Sequence, residues 1–245
     1  MKKCIVLVSD ENYIQHTRYL FSAIRFKGNW KGDYCLIANK LNDDIIKEFK
    51  SKEINVLKIS NEVQKYSAKY YLFNKVLKNW DVVGYFDTDF LIIKDINNLI
   101  ETDSFLADID GSSKKTFTIG ETLDKLSNPV LYEEASKIYN LDSFGFNSSC
   151  MIYNTSLIQD NTFDDIILLS NKYKDINHHT GPDGTDQPIL NLYFQDRWKQ
   201  IDKVSFHRNR KGNEIAVHTC RWEAPWTDPR YVQYYKHYLS RWITF

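Results

Sequence analysis

Net charge, long apolar runs, paired cysteines and a glycine-rich phosphate loop are all missing from this sequence. Across 245 residues Lys+Arg and Asp+Glu both total 32, so the formal charge is zero. That balance argues against a duplex nucleic-acid binder, which needs a basic excess to neutralise phosphates. The first apolar run, Cys4 to Val8, is too short for a signal peptide or a membrane span. A first strand almost at Met1 and a cytoplasmic location are therefore expected. Cys4, Cys35, Cys150 and Cys220 lie far apart with no zinc-like spacing. They are expected to be small buried hydrophobes in a reducing compartment. "VLVSDENY" after the first run has no glycines, which counts against a nucleotidyltransferase. No repeat, low-complexity tract or linker divides the chain, so one domain over 1–245 is expected.

What is present suits a globular domain. Hydrophobic residues make up 42% and charged residues 26%, enough for a sizeable core. Aromatics reach 15%, but rings serve cores as well as sugar-binding surfaces, so this decides nothing alone. Strand-like runs at 4–8, 33–39 and 54–60 alternate with helical patterns at 16–26, 42–51 and 67–79, where Asn42 and Ser67 are candidate caps. "DVVGYFDTDFLIIKDI" predicts a strand, an acidic turn and another strand. Later come a helix opened by Pro129, a strand over 146–154, a helix from 163 and a helix beginning at Asp186. Strands and helices at this spacing predict an α/β fold with a mostly parallel, Rossmann-like central sheet. The tail, 229–245, forms an aromatic and basic helical side that fits either a packed terminal helix or a peripheral membrane contact.

The sharpest chemical signal is Asp87-Thr88-Asp89. Asp-x-Asp alone is readily a solvated turn. Here the apolar strand "VVGYF" delivers both carboxylates to its carboxyl end, where open α/β sheets bind ligands. A hard divalent cation held there would bridge a diphosphate.

"YFDTDFLIIKDI" resembles the Asp-x-Asp segment of GT-A fold glycosyltransferases, most closely the glycogenin and lipopolysaccharide galactosyltransferase-like family 8. "LVSDENY", "FGFNSSCMIYN", "GTDQPILNLYF" and "HTCRWEAPW" resemble further segments of that family, in family order and over most of the chain. The resemblance implies that Asp87, Asp89 and His218 hold manganese, with magnesium as the alternative. Two carboxylates, an imidazole and phosphate oxygens suit such an ion. On its own, His218 in "EIAVHTC" reads as a satisfied core histidine rather than a ligand. The resemblance also places Asp10, Tyr13 and Thr88 at the nucleotide, and Lys69 at donor phosphate or at Asp87 itself. Asn147 and Ser148 fall beside the transferred sugar, and Asp186 and Gln187 beside the reacting centre. Asp108 and Asp110 are weaker candidates for the sugar pocket.

Two departures from the family pattern stand out. The late glycine is Arg221 and the diphosphate-contacting lysine is Ala224. Arg221, with Arg208 and Arg210 as further candidates, is the expected substitute, since guanidinium clamps phosphate well. Ser149 replaces a glycine and puts a hydroxyl near the expected sugar. The implied activity is retaining hexosyl transfer from a UDP-sugar, with UDP-glucose or UDP-galactose favoured, to a glycan, lipid-linked glycan or protein hydroxyl. A nucleotide-sugar hydrolase and a non-catalytic nucleotide-sugar or glycan binder on the same fold are the alternatives, and Ala224 is the latter's best support.

Overall fold

The computed structural model describes residues 1–59, 65–112, 115–177, 185–206, 212–219 and 223–245. In chain order its elements are β1 (Lys3–Ser9), α1 (Ile14–Phe26), β2 (Asp33–Asn39), α2 (Asp43–Ser51) and β3 (Asn55–Ile59). After two 3-10 segments come β4 (Val82–Phe86), β5 (Phe90–Ile92), β6 (Phe105–Ile109), and the two-residue strands β7 (Gly111–Ser112) and β8 (Lys115–Thr116). There follow α3 (Pro129–Ile138), β9 (Phe146–Asn154), α4 (Thr162–Lys172) and α5 (Asp186–Tyr193). The chain closes with β10 (Trp198–Gln200), β11 (Val204–Phe206), β12 (Ala216–His218) and α6 (Val232–Ser240).

The main sheet has the order β10-β6-β9-β4-β1-β2-β3. Alternation along β1 sorts its side chains onto two cores. Cys4 and Val6 face one with Phe73, Tyr153 and Phe194, while Ile5 and Leu7 face the other with Leu20, Phe86 and Trp242. A strand covered on both faces is apolar at every position, which is why "CIVLV" shows no polar alternation. Asn42 caps α2 as expected, its Oδ1 accepting from the Ile45 amide at 3.0 Å. Asn128 does the same for α3 ahead of Pro129. Cys4, Cys35 and Cys150 are buried free thiols, and Cys220 lies outside the described residues.

Two expectations need correction. The sheet is mixed rather than strictly Rossmann-like, because β9 runs antiparallel to both β4 and β6. The predicted helix over 67–79 is instead two 3-10 segments, Lys65–Phe73 and Lys75–Asn79. Ala68, Tyr70, Leu72 and Phe73 are all buried, a spacing that does not fall on one 3.6-residue stripe. Of the two readings of the tail, the packing seen is that of a terminal helix on the domain, which takes up much of its aromatic side. Tyr235 packs on Tyr19 (4.7 Å between ring centroids) and Trp242 on Phe49 (4.8 Å), so little of that side faces outward. No described helix is long and apolar enough to cross a membrane.

Candidate metal site

β4 carries the chain to the carboxyl edge of the sheet, and the turn after it presents Asp87 and Asp89. The Asp87 amide donates to the Ser149 carbonyl of β9 at 2.7 Å, which pins the strand exit. β5 then pairs antiparallel with β12, and that register sets His218 opposite Phe90. The Thr219 hydroxyl (2.6 Å) and amide (3.2 Å) both donate to the Asp89 carbonyl and lock the pairing. Residues separated by most of the chain thus converge: ligand atoms of Asp87, Asp89 and His218 all lie within 4.8 Å of one another.

The trio fits a divalent cation. Asp89 Oδ1 is buried with no aligned hydrogen-bond donor among the described residues, and His218 Nε2 lies 3.2 Å from it. An ion holding its ligands at about 2.1 Å seats between atoms about 3–4 Å apart, so only small side-chain movements are needed. Electrostatics agree. Burial pushes the Asp87 carboxyl up, helped by the Asp89 and Asp186 charges and opposed by Lys69. Burial acts on Asp89 in the same sense, but the His218 imidazole outweighs it and holds that carboxyl below its usual range. His218 is the reciprocal case: burial pulls it down, yet Asp89 raises it overall. Two carboxylates crowded in a half-buried corner create a negative potential that a cation relieves.

Lys69 joins this corner to a second carboxylate. Its ammonium lies 3.2 Å from Asp87 Oδ1 and 3.1 Å from Asp186 Oδ2, and these two anions hold it charged despite its burial. Tyr85, read from sequence only as a core strand residue, donates its hydroxyl to Asp87 Oδ1. Asp186 starts α5, where the helix dipole favours a carboxylate. The Ser148 hydroxyl donates to Asp186 Oδ2 at 2.6 Å and its amide to Gln187 Oε1 at 3.2 Å. Gln187 Nε2 in turn donates to Asp110 at 2.8 Å, and Asn147 Oδ1 accepts from the Ser149 amide at 3.0 Å. Lys69, Asp87, Asn147, Ser148, Asp186, Gln187 and His218 line one cavity of about 190 Å³. Asp110 stands one step behind its wall, and Asp108 bonds the neighbouring Ile109 amide. A larger groove of about 640 Å³ lies at the start of β2 around Arg25, Trp30 and Lys52. It gathers mixed charges but no ligand trio, so chemistry rather than size selects the smaller cavity.

Asn191 aligns the two elements that build this wall. Its side chain accepts from the Phe146 amide at 2.6 Å and donates to the Phe146 carbonyl at 2.8 Å, and a Cβ on neighbouring Gly145 would come within 3.2 Å of it. Asn191→Ala would leave both buried backbone groups of Phe146 unpaired. We expect a loss of about 2–4 kcal/mol in urea unfolding.

The nucleotide candidates are more dispersed. Asp10 uses Oδ1 to accept from the Asn12 (2.9 Å) and Tyr13 (3.2 Å) amides, which shapes the loop after β1 and leaves Tyr13 at the surface. Nearby, His16 stacks on Trp226 with ring centroids 3.6 Å apart, a contact no motif announced. Thr88 is half-buried in the acidic turn. Ala224 is fully buried, so that position sends no side chain toward a diphosphate. Arg208, Arg210 and Arg221 lie outside the described residues.

No protein-family model matches this sequence, and no curated protein matches it. Solved structures of glycosyltransferases do match in fold. A galactosyltransferase, LgtC, in complex with donor and acceptor sugar analogues superimposes with a TM-score of 0.68 at 15% identity, over 97% of this chain and 95% of that one. The glycosyltransferase GlyE of Streptococcus pneumoniae TIGR4 gives 0.66 at 16% identity, over 99% of this chain and 62% of that one. The bifunctional glycosyltransferase WbbM gives 0.63 at 15%, over 98% of this chain and 49% of that one.

Proposed function

We propose that this chain is a metal-dependent glycosyltransferase, similar to family 8, that transfers a hexose with retention from a UDP-sugar. UDP-glucose and UDP-galactose are the favoured donors. The acceptor is a glycan, lipid-linked glycan or protein hydroxyl, and the setting is cytoplasmic. The carrying observation is the convergence of Asp87, Asp89 and His218 beside the Lys69–Asp186 cavity, at the carboxyl edge of a GT-A sheet.

Asp87, Asp89 and His218 would hold Mn²⁺ or Mg²⁺, which supplies neutralisation of the diphosphate leaving oxygens. Lys69 adds a fixed positive charge at the same edge, and Arg221 is placed by sequence to add another. Tyr13 and Asp10 would meet the nucleoside. Asn147, Ser148 and Gln187 offer the sugar a set of positioned polar groups, and such pre-set dipoles favour charge developing at the anomeric carbon. Asp186 is the one carboxylate we would consider as a nucleophile. It is already engaged by the Ser148 hydroxyl and the Lys69 ammonium, which suits orientation and charge stabilisation better than attack. Same-face displacement by the acceptor hydroxyl is therefore the favoured route.

The test is turnover of a panel of nucleotide sugars with acceptor glycans, in Mn²⁺ and in EDTA, following nucleoside diphosphate release. Release from one donor, lost in EDTA and restored by Mn²⁺, is expected. Release that requires no acceptor would favour the hydrolase alternative. Metal-independent nucleotide binding without release from any donor would favour the non-catalytic binder.

A further inference from the structure

Ser149 occupies a place that ties the two ligand-bearing segments together. Its carbonyl accepts the Asp87 amide, and its hydroxyl lies 3.2 Å from His218 Nδ1. The residue is almost fully buried and lines the same cavity as His218 and Asp186. On its other side the His218 ring lies nearly parallel to Phe90 (9° between planes, centroids 5.0 Å apart), which fixes the plane of the imidazole but not which nitrogen carries the proton. The far nitrogen, Nε2, points at Asp89 Oδ1.

We propose that Ser149 is the positioning residue for His218 as a metal ligand. It accepts the Nδ1 proton and so leaves the Nε2 lone pair directed at the cation. The inference rests on the metal-dependent reading above. The chemistry is general: a ligating imidazole donates its other N–H to an oxygen, and that partner sets tautomer and ring angle. A glycine or alanine at 149 would keep the backbone bond to Asp87 but supply no such oxygen. The sequence put this hydroxyl near the expected sugar; it lines that cavity, and its partner there is His218.

The probe is Mn²⁺ itself, titrated into the full chain and followed by electron paramagnetic resonance, for the native protein and Ser149→Ala. With the melting temperature retained, Ser149→Ala should bind Mn²⁺ about 10- to 100-fold more weakly. Unchanged affinity would overturn the assignment while leaving the metal site intact. If the native protein itself bound no Mn²⁺, the metal reading would fall and this inference with it. Should Ser149→Ala fail to fold, nitrogen-15 NMR of the native histidines with Mg²⁺ and UDP decides the matter. A proton on Nδ1 of His218 supports the role, and a proton on Nε2 rules it out.

Discussion

Asp89→Ala should lower metal-stimulated nucleoside diphosphate release by about a thousandfold or more, because it withdraws several kcal/mol of charge stabilisation from the leaving group. Its backbone carbonyl, which accepts from Thr219, is untouched, so the β5–β12 pairing that carries His218 should survive. Stability without metal should fall as well. The Asp89 carboxylate faces His218 Nε2 at 3.2 Å, and this pair holds the Asp89 carboxyl below its usual range and His218 above its own, so the variant leaves the imidazole without its charged partner. In EDTA the variant should therefore melt lower than the native protein. The native protein alone should gain stability as Mn²⁺ is added. Scanning calorimetry with and without Mn²⁺ checks both halves. A variant that still melts higher in Mn²⁺ would move the metal elsewhere.

The second large effect is at Lys69. Lys69→Met keeps the aliphatic stem but removes the ammonium that faces both Asp87 and Asp186. Removing one member of a buried ionic cluster leaves the others uncompensated, and about 2–4 kcal/mol of stability should be lost in EDTA. Asp87 is the more exposed of the two partners, which keeps the figure toward the lower end. Mn²⁺ should recover part of that loss, since it neutralises the Asp87 side of the cluster. Turnover should still fall by about a hundredfold with metal saturating, because Asp186 would no longer be held against Ser148 by a counter-charge. Thermal melts in EDTA and in Mn²⁺, together with kcat for donor turnover, give the two readings. Equal losses with and without metal would show that Lys69 and the cation act on separate groups.

Much of this site was legible because its pieces are local. An apolar strand ending in Asp-x-Asp, and a carboxylate opening an apolar helix, are short-range patterns, and Asp87, Asp89 and Asp186 sit where those patterns put them. His218 is different. Its own segment fits a core histidine, and only the pairing of β12 with β5 brings it to the acidic turn. The roles of Tyr85, Asn191 and Ser149 were invisible for the same reason: each acts on a residue in another strand or turn, and no periodicity encodes such a meeting. The direction of β9 was equally hidden, because a strand buried on both faces has the same apolar pattern whichever way it runs. The 3-10 segments were missed because helical propensity is a weak prior that tertiary burial overrides.

That reversed strand also sets a timetable for biogenesis. β4 is complete at Phe86, but its neighbour on one side, β9, begins only at Phe146. At translation rates of about 5–20 residues per second, the strand "VVGYF" waits several seconds with one edge unpaired. β12, which brings the third ligand, emerges later still. A nascent chain therefore carries a sticky apolar edge well before it can bind a cation. Slow, non-local pairing of this kind makes overproduced chains depend on chaperones and lower temperature.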